Sequence, residues 1–92
     1  MIVRILGEGQ FELDQAHARR LDELDSALVE AVEGDDDRAF EEALAELIAE
    51  VKRAGRALPP DYLGPSDMTV PAPGSTRLEV RSLLSDDGSV PD

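Results

Sequence analysis

The sequence predicts an α+β fold, and three observations predict it. A β-rich start, Met1-Ile2-Val3-Arg4-Ile5-Leu6, is broken by Gly7-Glu8-Gly9 and resumes at Gln10-Phe11-Glu12-Leu13. Two stretches with apolar residues at helical spacing follow, separated by Gly34 and three aspartates. A Pro-bounded β-type run and a capping box then close the chain. Chain length bounds the rest: 92 residues make one small domain, assigned to residues 1–85, with residues 86–92 expected to form a flexible tail.

The opening reads as a β-hairpin. With Gly7, Glu8 and Gly9 as its loop, Ile5 faces Phe11, Val3 faces Leu13 and Arg4 faces Glu12. One face is then apolar and the other holds an opposite-charge pair. A two-residue loop would set Ile5 against Glu12 and mix the faces. The chosen loop needs positive φ at its last position, which makes Gly9 more sensitive to substitution than Gly7.

Asp14 is placed as the cap of a first helix, whose stripe is Leu21, Leu24, Leu28, Ala31 and Val32. Arg19 and Glu23 stand one turn apart on its wet side, and Gly34 stops it. Asp35, Asp36 and Asp37 suit the start of a second helix, where acids accept from free N–H groups and complement the dipole. That helix runs to about Ala54, with Phe40, Ala43, Leu44, Leu47, Ile48 and Val51 as its stripe, and Gly55 ends it. Two amphipathic helices with so short a turn form an antiparallel helical hairpin, which packs on the strands. Leu58-Pro59-Pro60 cannot continue a helix. Met68-Thr69-Val70, between Pro65 and Pro71, reads as an edge strand. It can join the hairpin as a third strand of a three-stranded antiparallel sheet. Thr76-Arg77-Leu78-Glu79 is a capping box opening a short C-terminal helix, with Val80, Leu83 and Leu84 on one face.

Charge narrows the function classes. There are 9 Lys and Arg against 21 Asp and Glu, a formal net charge of −12, which disfavours direct contact with nucleic acid or an anionic membrane surface. No run of about 18 apolar residues offers a membrane span, and the start lacks the pattern of a signal peptide. With Cys 0, there is no disulfide, thiolate metal site or Cys nucleophile.

Each candidate for chemistry has a plainer reading. His17, the one histidine, lies in a helix first turn with no partner set and reads as a surface residue. Asp35-Asp36-Asp37 lacks the alternating ligands and distal Glu of a calcium loop, so capping explains it better. Gly7-Glu8-Gly9 precedes a strand rather than a helix, and Glu8 would repel phosphate. Ser26, Ser66-Asp67 and Ser75 have no base to form a nucleophilic set. The expectation is a chain that is no enzyme, with no catalytic, cofactor-binding or metal residues.

The opening thirteen residues, Met1 to Leu13, resemble the start of the PspA-associated family, PspAA. The order that follows is similar too: an acidic helical pair, Leu58-Pro59, Pro65-Ser66-Asp67-Met68-Thr69-Val70-Pro71, and Thr76 to Leu84. The close, Asp86-Asp87-Gly88-Ser89-Val90-Pro91, departs from the family's ending at Ser89, where an aliphatic residue is usual. The resemblance implies a small cytoplasmic protein, encoded beside a PspA-type coiled-coil protein that protects the envelope under stress, and acting as its partner or modulator. Recruitment to the inner face of the membrane would then run through that partner. It implies no catalytic or ligand residues. A second reading from charge is an acidic regulatory module of antitoxin or nucleic-acid-mimic type, although acids interleaved with apolar stripes look more like solvated helix faces. On the adaptor reading, the exposed helix acids Glu23, Glu42 and Glu46 would meet the partner.

Overall fold

The computed structural model describes the backbone of residues 1–85 and the side chains of residues 1–82. The expected tail at 86–92, and the placing of Leu83 and Leu84 on a buried face, lie outside what is described. The strands are β1 (Ile2–Ile5), β2 (Gly9–Glu12), β3 (Arg56–Ala57) and β4 (Met68–Val70). The helices are α1 (Ala18–Glu33), α2 (Asp37–Ala54) and α3 (Arg77–Ser85), with a 3₁₀ turn at Gln15–His17 ahead of α1. This is the expected α+β class. The strands form one sheet in the order β3-β2-β1-β4.

The hairpin forms, but its register differs by two residues from the expected one. Val3 lies opposite Phe11, Arg4 opposite Gln10 and Ile5 opposite Gly9. The turn closes earlier, with the Glu8 N–H donating to the Ile5 carbonyl at 2.9 Å. Both Gly7 (φ 83°) and Gly9 (φ 114°) take positive φ, so both resist a side chain, and the expected ranking of Gly9 above Gly7 loses its basis. A two-residue shift keeps side-chain parity. Val3, Ile5, Phe11 and Leu13 therefore still share the core face, with Val3 and Ile5 fully buried and Phe11 half-buried. The outer pair does change. Arg4 faces Gln10, and Glu12 bonds Arg56 of β3 at 2.5 Å.

β4 joins β1 as expected, but parallel to it, so the sheet is mixed and four-stranded. The cause is the crossover from β3 to β4. Residues 58–67 pass over the outer face and return to the start of β1. There the Asp67 N–H donates to the Ile2 carbonyl (2.7 Å), and the Ile2 N–H to Asp67 Oδ2 (2.8 Å). Gln10 is buried beneath this crossover and donates through Nε2 to Ser66 Oγ (2.8 Å) and the Gly64 carbonyl (3.1 Å). A polar side chain at this depth needs such partners.

The helical hairpin follows the sequence closely. The buried residues of α1 are Leu21, Leu24, Leu28, Ala31 and Val32, and those of α2 are Phe40, Ala43, Leu44, Leu47, Ile48 and Val51. These stripes share one core with Val3, Ile5, Leu13, Val70 and Val80. Asp14 caps the 3₁₀ turn, accepting from the Ala16 N–H, and α1 proper begins four residues later than the cap. Gly34 and Gly55 close the two helices. On the wet side of α1, Glu23 pairs with Arg20 at 3.8 Å, and not with Arg19 as the one-turn spacing suggested. Thr76 and Glu79 form the capping box reciprocally: the Thr76 N–H donates to Glu79 Oε1 (2.9 Å), and the Glu79 N–H to Thr76 Oγ1 (3.1 Å).

Candidate functional site

The residues singled out for chemistry are dispersed. His17 sits half-buried at the start of α1 and makes no capping hydrogen bond with its side chain. Ser66 and Asp67 tie the crossover to the sheet, and Ser75 Oγ donates to the Ala72 carbonyl at 2.7 Å. Ser26 is exposed on α1, and Glu8 in the hairpin turn pairs with Lys52 of α2. Among the described residues, no group of three or more His, Asp or Glu side chains is arranged to hold a metal ion.

The three aspartates divide their work. Asp36 Oδ1 accepts from the backbone N–H groups of Arg38 (3.1 Å) and Ala39 (3.0 Å), which caps α2. Asp35 and Asp37 flank it and hold Arg77 of α3. Arg77 Nε donates to Asp37 Oδ1 at 2.6 Å and Nη1 to the Gly34 carbonyl at 3.2 Å, while Nη2 lies 3.2 Å from Asp35 Oδ1. The Arg77 side chain is only 9% exposed. It clasps the start of α3 to the α1–α2 turn, a role that sequence reading missed because nothing local to Arg77 points across 40 residues.

Two surfaces remain that could receive a partner. The first is the outer seam between α1 and α2. Its floor is Ala27, Ala31, Ala39 and Ala43, and its rim carries Glu30, Glu42 and Glu46. Small side chains let another backbone approach, and the carboxylates make the approach electronegative. Glu23 continues the acidic face along α1, and Glu23, Glu42 and Glu46 are all exposed as expected. Asp25 of α1 is half-buried; desolvation first, and then the neighbouring Asp22 carboxylate, push its carboxyl above the ordinary value.

The second surface is a groove of about 730 Å³ between α2 and residues 73–78. Phe40, Leu44 and Ile48 form its inner wall, Ala45 and Ala49 line the α2 side, and Leu78 stands at its lip, 64% exposed. A large apolar side chain left this open beside an apolar wall marks a contact surface better than scattered exposure does.

Together these are the features of a small acidic domain with an apolar groove and an acidic seam along its helices. The model of the PspA-associated protein family, PspAA, matches residues 1–92, the whole chain. The chain belongs to the PspAA family. No curated protein and no solved structure matches it. For a PspAA protein the membrane question has a direct structural side: among the described residues, no helix is long and apolar enough to cross a membrane.

Proposed function

We propose that this PspAA protein is a non-catalytic adaptor that binds a PspA-type coiled-coil protein and modulates it in the envelope stress response. The observation that carries the reading is the family match over residues 1–92. The physical chemistry is compatible with it. An interfacial membrane helix wants Lys and Arg on its polar face, whereas the outer seam of α1 and α2 is rimmed by Glu30, Glu42 and Glu46. Membrane contact therefore falls to the partner. Coiled-coil surfaces place charged positions beside an apolar seam, and the basic ones complement this acidic face.

Such a complex forms by electrostatic steering, so salt weakens it chiefly through the association rate. The test is binding of the purified chain to the PspA-type protein of the same genome, followed by biolayer interferometry at low and physiological salt, in a cytoplasm-like reducing buffer. Anionic liposomes alone and duplex DNA-binding proteins serve as controls. Glu42→Lys and Glu46→Lys should slow association more than they speed release. Absence of binding, or equal binding to bare liposomes, refutes the adaptor; selective capture of DNA-binding proteins instead supports the nucleic-acid-mimic reading.

A further inference from the structure

The groove beside α2 differs from the acidic seam in its chemistry. Every polar side chain on its far wall is already used within the chain. Ser75 bonds the Ala72 carbonyl, Thr76 is committed to the capping box, and Arg77 is held by Asp35, Asp37 and Gly34. A site for a polar small molecule needs convergent polar groups free to orient it. This groove offers apolar wall instead, with Leu78 projecting from its lip. From Phe40 to Ala49 it follows α2 for about 13 Å, at about 1.5 Å per residue. That length takes two to three turns of a docked helix, enough for anchors at i, i+3 or i+4, and i+7. Ala45 and Ala49 allow close approach of the helix backbone.

We propose that this groove holds the apolar seam of an amphipathic helix with basic flanks, supplied by the coiled-coil partner; this rests on the adaptor reading above. Charge selects that occupant. Glu41 stands exposed at the rim, and Glu42 and Glu46 continue the acidic side of the same helix. The chain's own C-terminal residues carry Asp86, Asp87 and Asp92, which would meet these carboxylates as like charges. A second copy would bring another net charge of −12. A helix flanked by Lys or Arg gains where both of those lose. The acids of the outer seam then govern encounter, and the groove governs residence.

The experiment compares variants of the full chain against the purified PspA-type protein by biolayer interferometry. Leu78→Glu removes the lip anchor while leaving an acid in the first turn of α3, where acids are favoured. Circular dichroism melts check that the fold is kept. The expected result is at least tenfold faster dissociation with association within twofold of the unaltered chain, the reverse of the Glu42→Lys pattern. Because the chain contains no cysteine, Ala49→Cys carrying a benzophenone gives a second reading: it should crosslink a basic helical segment of the partner, and a probe at Asp61→Cys, exposed on the crossover away from both surfaces, should not. If the unaltered chain binds and Leu78→Glu dissociates at the same rate, the groove assignment is wrong and the adaptor reading stands. If the unaltered chain does not bind, both fall. A dimer in light scattering that Leu78→Glu splits gives the groove to a second copy and overturns the proposal.

Discussion

Gly55 offers the sharpest test of how the sheet is docked on α2. Its φ of −98° and ψ of 166° suit any residue, so backbone conformation gives no reason for glycine there. Space does. A Cβ at Gly55 would stand 2.6 Å from the Val51 carbonyl oxygen and 3.0 Å from Leu13 Cδ1. Val51 is fully buried, Leu13 is 3% exposed, and the Val51 oxygen already accepts from the Gly55 N–H at 2.8 Å. Neither neighbour can retreat without disturbing the end of α2 or the end of β2. Two terms oppose each other in Gly55→Ala. Lost freedom in the unfolded chain favours alanine by about 0.4–1 kcal/mol. Overpacking costs about 1–3 kcal/mol. Taken at mid-range the two terms leave a net loss of about 1.3 kcal/mol, and the midpoint falls by about 4–8 °C per kcal/mol in a domain of this size. Gly34→Ala is the control. Gly34 also closes a helix at negative φ, but its Cβ would lie 3.3 Å from the Glu30 oxygen, a contact relieved by a few tenths of an ångström. Urea unfolding of both variants, with thermal melts, measures the difference. A Gly55→Ala chain as stable as the parent, or more so, would refute the close approach of Leu13 to the α2 terminus.

Three further outcomes are expected. Arg77→Met keeps much of the stem packing but loses the bonds to Asp37, Asp35 and the Gly34 carbonyl; because the two acids stay solvated, urea unfolding should show a loss of only about 1–2 kcal/mol. Phe40→Ala, at a fully buried site, should cost about 3–5 kcal/mol, and Phe11→Ala, half-buried at the sheet edge of the core, about half as much; equal losses would contradict the observed burial. Asp25→Asn tests burial of a charge. The folded carboxyl titrates above its ordinary value of 3.8, so between 3.8 and that raised value the folded chain binds more protons than the unfolded one. Stability is lost as pH rises through that window, the penalty is complete above it, and the penalty vanishes below 3.8. Asn removes it, so the variant's melting midpoint should exceed the parent's at neutral pH, with the gain disappearing in acid.

What could be read from the sequence was local. Both helical stripes were legible residue by residue because a 3.6-residue period has one solution over 16 to 18 residues. The ends were legible from Gly34, Gly55 and the aspartates, which act within one turn of themselves. The hairpin's faces were legible, but its register was not. Alternation fixes parity only, and registers two residues apart give the same faces, so the choice fell to a turn in which either glycine could take positive φ. The direction of β4 was not legible because Pro65 and Pro71 mark an edge without saying which way the strand runs. That is decided by a crossover anchored through Gln10, Ser66 and Asp67, whose pairing spans more than 50 residues. Arg56–Ala57, two exposed residues, carried no strand pattern at all, yet β3 supplies the partner that Glu12 was expected to find in Arg4. The groove shares this non-local character. The acids of the outer seam are visible as helix periodicity, but the groove lies between α2 and residues 73–78, which Arg77 ties to the α1–α2 turn some 40 residues away in sequence.

The angular division of α2 has a consequence for how function can be altered. Phe40, Leu44, Leu47, Ile48 and Val51 are committed to the core, Ala45 and Ala49 to the groove, and Glu42 and Glu46 to the outer seam. On the adaptor proposal the acidic encounter face therefore occupies a different angle of the helix from the core, whereas Phe40, Leu44 and Ile48 serve both the core and the groove wall. Substitution at Ala45 or Glu46 removes no core contact, so its effect on stability is set by helix propensity and charge, which are small. Glu42 already pairs with Arg38 at 3.4 Å, so Glu42→Lys breaks an ion pair as it removes an acid. Glu46→Lys relieves carboxylate repulsion while weakening the attraction of a basic partner. The same change should thus raise the melting midpoint slightly and slow association. Opposite signs for stability and encounter are what surface charge produces when the charge serves recognition. A loss of both together would mean instead that these acids hold the fold, as Asp36 does at the α2 cap.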